Sequence, residues 1–195
     1  TPGKVRRVRL LPGDPPATRQ AVDAVMAADL VVLGPGSWFT SVIPHVLVPG
    51  LADALKSSDA RRALVLNLAA EPGETAGFSA ERHIHVLAQH APGLTVHDII
   101  VDAASVPSER EREQLRRTAS LLEASVNFAE VSRPGTPLHD PAKLAAALDA
   151  VRSRGEEAST ITVPTGAPTS SETVLTPDRV RRSAGDGPRG DAPWR

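Results

Sequence analysis

Three hydroxyl side chains, Ser37, Thr40 and Ser41, fall within five residues directly after the run Gly34-Pro35-Gly36. A glycine-rich turn lets backbone N–H groups approach an anion closely, and hydroxyls beside it add donors. Pro35 supplies no N–H but stiffens the turn by fixing its own φ. This combination fits a loop that cradles a phosphate. It also fits an ordinary strand-to-loop turn, because short glycine motifs recur without ligands. A second set follows at Glu71, Gly73, Glu74 and Thr75, beside Pro72. Two carboxylates and a hydroxyl can accept hydrogen bonds from sugar or ribose hydroxyls, or share a metal ion. A solvated turn is the plainer alternative.

The single residues between these sets carry less. Asn67 ends an apolar run, where a buried amide or a ligand contact would both serve. His45 closely follows the first loop and could donate to an anion or carry a proton, against a structural role. Ser37 is not a hydrolase nucleophile by its surroundings, which read Gly-Pro-Gly-Ser rather than Gly-x-Ser-x-Gly. His83 and His85 stand two apart, and on a helix such residues do not share a face, so they make poor joint metal ligands.

The elements that must position these residues are legible as alternating patterns. Leu30 to Leu33 and Ala63 to Leu68 are short apolar runs without polar interruption, which suits strands covered on both faces. Val5 to Leu11, Ile99 to Val101 and Val126 to Val131 are further strand candidates, the last by alternation and therefore at an edge. Helical spacing covers Ala17 to Ala28, Leu51 to Ser57 and Ser79 to His90, with Ile84, Leu87 and Ala88 inward. Ser108-Glu-Arg-Glu111 has the form of a capping box and predicts a helix to about Ala124, with Leu115, Leu121 and Leu122 in the core. Asp140-Pro141 predicts a helix start with Pro at its first position, running through Val151. Strand and helix alternate five times, the pattern of an α/β fold with a doubly wound, mostly parallel sheet. Ligands of such sheets bind beyond the carboxyl ends of the strands, which would bring the two loops to one edge. The expected domain is 1–151. From Arg152 the apolar periodicity is lost, and 152–195 has the composition of a disordered tail.

Composition excludes several classes. The chain has 195 residues, 41% hydrophobic, and a formal net charge of −1. That length suits one ordinary domain. Near-neutral charge gives no reason to expect nucleic acid or an anionic membrane as partner. The absence of cysteine rules out disulfides and thiolate metal sites. No apolar run is long enough to span a bilayer. The chain opens on Thr1 with strand-like sequence almost at once, which suggests a fragment lacking an N-terminal part.

Taken together, Val32-Leu-Gly-Pro-Gly-Ser-Trp-Phe-Thr-Ser41 with Pro44, Asn67-Leu with Pro72-Gly-Glu-Thr75, and His139-Asp-Pro-Ala-Lys-Leu144 resemble the bacterial gluconeogenesis factor family. These are the YvcK-type, UDP-N-acetylglucosamine-binding members of a CofD-like group whose enzymatic relative is 2-phospho-L-lactate transferase. The resemblance spans about residues 5 to 151. It implies a Rossmann-like sheet, a cytoplasmic location, a nucleotide-sugar ligand, self-association, and a role in cell shape and wall synthesis during gluconeogenic growth. It implies no catalytic residue, and leaves Mg²⁺ as an ion that would accompany the nucleotide. The alternative it carries is a transferase that moves a phosphate-bearing group from a nucleotide donor. By the resemblance, Gly34, Gly36, Ser37, Thr40, Ser41 and Asn67 are ligand-side positions, with Gly73, Glu74 and Thr75 on the facing loop. Family members often have Leu-Tyr in place of Trp38-Phe39, Asn in place of His45, and Thr-Gln in place of Ala70-Glu71.

Overall fold

The computed structural model describes residue 5 and residues 7–160, with side chains described through Gly155. Four strands, β1 (Leu30–Leu33), β2 (Arg61–Val65), β3 (Asp98–Asp102) and β4 (Ser125–Ala129), form one sheet in that order. All three pairings are parallel. Around them lie α1 (Arg19–Met26), α2 (Ile43–Leu47), α3 (Pro49–Ser57), α4 (Ala80–His90), α5 (Glu109–Ala119) and α6 (Pro141–Thr160). The result is the expected α/β, Rossmann-like sheet with helices on both faces. Its order runs without reversal among the described strands.

The apolar runs divide between two cores because successive strand residues point to opposite faces. Leu64, Ile99 and Val101 join Trp38, Ile43, Ile84, Leu87, Leu115 and Leu122 in the larger core, beneath α2, α4 and α5. Ala63, Val65 and Ile100 pack instead with Val131 and Val151, and with Leu144 and Leu148 of α6. An unbroken apolar sequence is what a strand buried on both faces requires.

The helix starts follow local chemistry. Thr18, Ser79 and Ser108 accept from backbone N–H groups at the starts of α1, α4 and α5, and Ser108 and Glu111 complete the capping box. Asp140 Oδ1 accepts from Ala142 N–H at 3.0 Å and Lys143 N–H at 3.2 Å, opening α6.

Several expectations change. The described residues of 5–11 form no strand. β1 pairs only with β2 among the described strands, and Val32 is 39% exposed, so this run is not covered on both faces. α5 stops at Ala119 and gives way to a 3-10 turn over Ser120–Leu122, closed by Glu123 at φ 56°. That change of helix type rotates Leu121 outward to 52% exposure, while Leu122 stays buried. α6 does not end at Val151 but runs to Thr160, so 152–160 are helical. The rest of the expected tail, 161–195, lies outside the described residues. No single described helix is long and apolar enough to cross a membrane.

Candidate functional site

The first loop is held by what surrounds its glycines. Gly34 has φ +74°, and a Cβ there would lie 2.8 Å from the Val65 carbonyl oxygen, so only glycine fits between β1 and β2. Gly36 is different. A Cβ on it would meet only Ser41 Cβ, at 3.6 Å. Its backbone is instead clasped by Asn67, whose Oδ1 accepts from Gly36 N–H at 3.0 Å and whose Nδ2 donates to Gly36 O at 2.8 Å. Asn67 stands two residues beyond β2, so parallel pairing of β1 and β2 brings it level with the loop. The amide of Asn67 thus matches both backbone groups of one peptide residue, and is a positioning group for the turn.

After Gly36 the chain does not remain a loop. Trp38–Val42 forms a π-helix that leads into α2. This winding buries Trp38 completely and leaves Phe39 3% exposed. Ser37 and Thr40 are placed together on its outer side, with their hydroxyls in contact.

The second loop reaches the first. Ser37 Oγ donates to Glu74 Oε1 at 2.5 Å, and Phe39 N–H points to Glu74 Oε2 at 3.5 Å. The two loops therefore form one cluster at the carboxyl ends of β1 and β2. Thr75 is fully buried, and its hydroxyl accepts from Glu71 N–H at 2.8 Å. It shapes the loop from inside and is not presented to a ligand. Gly73, at φ +83°, is exposed at the tip. Burial, and then the adjacent Glu74 carboxylate, hold the Glu71 carboxyl above the usual carboxylate range.

Two hollows open beside the first loop and Asn67. On one side a groove of about 330 Å³ is lined by Gly34, Pro35, Ser41 and His45 together with Val31, Val42, Leu51 and Leu55. His45 is exposed in α2 on the rim of this apolar groove, apart from the Ser37–Glu74 cluster. On the other side a crevice of about 210 Å³ opens between the ends of β2 and β3, and Asn67, His83, Asp102, Ser105 and Glu111 line it. The expected site residues are thus brought to one edge but split between its two sides.

His83 and Asp102 were not legible as site residues. His83 is buried in α4, with Nδ1 2.8 Å from the Ser79 carbonyl, which fixes that nitrogen as the donor. Burial holds its ring below the usual imidazole range. Its Nε2 and the indole Nε1 of Trp38 have no hydrogen-bond partner among the described residues, although the two rings lie 4.9 Å apart at 90°. Asp102 Oδ1 accepts from Val131 N–H and Ser132 N–H at 3.0 and 3.1 Å, tying β3 to the segment before α6. The only signal for His83 was its i+4 spacing from the Ser79 cap. Among the described residues no group of three His, Asp or Glu side chains is placed to hold a metal ion.

The comparisons with known proteins agree on a family. The family described as 2-phospho-L-lactate transferase CofD matches residues 1–138. A protein of Mycobacterium tuberculosis provisionally named gluconeogenesis factor is 71% identical over 195 residues, all of this chain and 54% of that protein. Its namesake from Deinococcus radiodurans is 38% identical over 156 residues, 75% of this chain and 33% of that protein. A crystal structure of a UPF0052 family member from Bacillus halodurans superposes with a TM-score of 0.63 at 30% identity, covering 74% of this chain and 50% of that one. The chain spans about half the length of the curated relatives it matches. On the matched span, the parallel sheet and the Gly-Pro-Gly edge together, the chain belongs to the CofD family, in the branch that bears the gluconeogenesis factor name.

Proposed function

We propose that this chain supplies part of a regulatory site for a nucleotide sugar, UDP-N-acetylglucosamine in the first instance. The observation that carries the reading is the meeting of the two loops at the carboxyl edge of the sheet. There Asn67 clasps Gly36, and Ser37 and Thr40 present hydroxyls beside Glu74. Hydroxyl donors next to a rigid turn suit a diphosphate, and the crevice beyond Asn67 offers acceptors for hydroxyls or N–H groups. Glu71, beside this cluster, is a hard oxygen donor of the kind Mg²⁺ takes together with phosphate oxygens. Mg²⁺ entering with the ligand would neutralise diphosphate charge. In the whole protein the site would act in the cytoplasm, in a self-associating assembly that signals to cell-wall or morphogenesis proteins during gluconeogenic growth.

The description of the matched family favours a second reading, a transferase that moves a phosphate-bearing group from a nucleotide donor. Calorimetric titration of the intact protein with UDP-N-acetylglucosamine, with and without Mg²⁺ and with products followed by NMR, separates the two. Saturable binding without turnover is expected, and turnover would replace the regulatory reading with the transferase. Gly36→Val, whose added atoms enter the space beside Ser41, should abolish that binding with the circular dichroism spectrum intact. Unchanged binding by this variant would refute the site.

A further inference from the structure

The donors offered to a ligand's anionic group are already engaged by an anion of the chain itself. Glu74 Oε1 accepts from Ser37 Oγ at 2.5 Å, and Oε2 faces Phe39 N–H at 3.5 Å. A hydroxyl has one proton to donate, so Ser37 cannot serve Glu74 and a phosphate oxygen together. Two negative groups at such separation also repel unless a cation lies between them. We propose that Glu74 is an internal competitor for the site: it holds the Ser37 and Phe39 donors in the free protein, and the anionic part of the ligand binds by displacing it. The inference rests on the reading of the Gly34–Ser41 loop as the nucleotide-sugar site, and it adds the step that sets the affinity.

The loop is built to let the carboxylate leave without unfolding. Thr75, the next residue, is fully buried and holds Glu71 N–H through its hydroxyl. Phe78 N–H donates to Thr75 O at 2.8 Å, and the Phe78 ring packs edge-on to Phe39 and His83 at 6.0 and 5.4 Å. The base of the loop is therefore anchored on both sides of the β2–α4 connection. Glu74 itself is only half-buried, and the glycines at 73 and 77 both have positive φ, +83° and +76°. Rotation of one side chain frees Ser37 while Thr75 and Phe78 stay in place. Burial first, and then the neighbouring Glu74 carboxylate, raise the Glu71 carboxyl above the usual carboxylate range in this same cluster.

The test uses the intact protein at one fixed Mg²⁺ concentration, with inorganic pyrophosphate and UDP-N-acetylglucosamine as probes. Glu74→Gln keeps the length and the acceptor oxygen but removes the charge. Glu74→Asp keeps the charge but falls a methylene short of Ser37. An internal competitor lowers apparent affinity by the fraction of molecules in which the site is free. Both variants weaken the competitor and should therefore bind both probes more tightly than the unaltered protein, by up to about tenfold if the site is free a tenth of the time. In the Ser37→Ala background the gain should shrink, because the nearer of the two shared donors is gone. Binding by the unaltered protein that either variant leaves equal or weaker would overturn the competitor and leave the site standing. Absence of binding by the unaltered protein and both variants would overturn the site and the competitor together.

Discussion

At the residue scale, two glycines with the same apparent purpose have different ones. Gly34 sits at φ +74° with the Val65 carbonyl 2.8 Å from where a Cβ would be, whereas Gly36 has open space up to Ser41. Gly34→Ala should cost about 2 kcal/mol or more, since a left-handed backbone and a steric overlap both penalise the methyl group. Gly36→Ala should change stability by less than about 0.5 kcal/mol. Urea denaturation of the two variants checks this, and equal losses would show that the turn is not built as described. Sequence presents both as members of one Gly-Pro-Gly motif. Which glycine is constrained depends on the neighbouring strand, and that neighbour is set by pairing between segments some thirty residues apart.

At the element scale, α6 shows where periodicity falls short. Its apolar face ends with Val151, and beyond it the residues are polar, so the sequence pattern ends the helix there. The structure carries it to Thr160, and polar contacts of Arg154 hold the turn just beyond Val151. Arg154 donates to Asp98 Oδ1 and Asn127 Oδ1, both at 2.9 Å, and Asp98 is 1% exposed at the start of β3. Arg61 takes the other oxygen of Asp98 at 2.7 Å. Arg154→Ala should lower stability by about 1 kcal/mol; its own 44% side-chain exposure keeps the figure modest although the carboxylate it serves is buried. A melting curve identical to that of the unaltered protein would show the last turns of α6 to be idle. A chain cut after Val151 should lose at least as much, contrary to what a disordered tail from 152 would imply.

At the scale of the whole molecule, the histidines make the fold acid-sensitive. Burial is the foremost cause that holds His83, His97 and His139 below the usual imidazole range. The unfolded chain, titrating near pH 6.5, then binds more protons than the folded one just below that pH. Stability from these groups is full above about pH 6.5 and is lost as pH falls toward their folded values. Glu71 acts with the opposite sign in the carboxylate range, where its raised folded value favours the protonated form until pH passes it. The urea midpoint should therefore drop between pH 7.5 and pH 5.5, and His83→Gln should make the drop shallower. A midpoint independent of pH over that interval would contradict the neutral state of these rings in the fold.

What the sequence by itself determined is whatever depends on near neighbours along the chain. The strand runs at β2 and β3, the Ser79 and Ser108 caps and the Asp140-Pro141 start are of this kind and are realised, whereas the Leu30–Leu33 run forms a strand that is left partly exposed. Alternation of strands and helices, with no cysteine and little net charge, was enough for the parallel α/β class. Only the tertiary structure decided that β1 has no second partner among the described strands. It also decided that Thr75 points inward while Glu74 reaches Ser37, and that Asn67 clasps the backbone of Gly36. Each of these joins residues thirty or more positions apart, or turns on one step of side-chain direction in an irregular loop. Local pattern carries no information on either, because such contacts are chosen by how the whole sheet brings its loops to one edge.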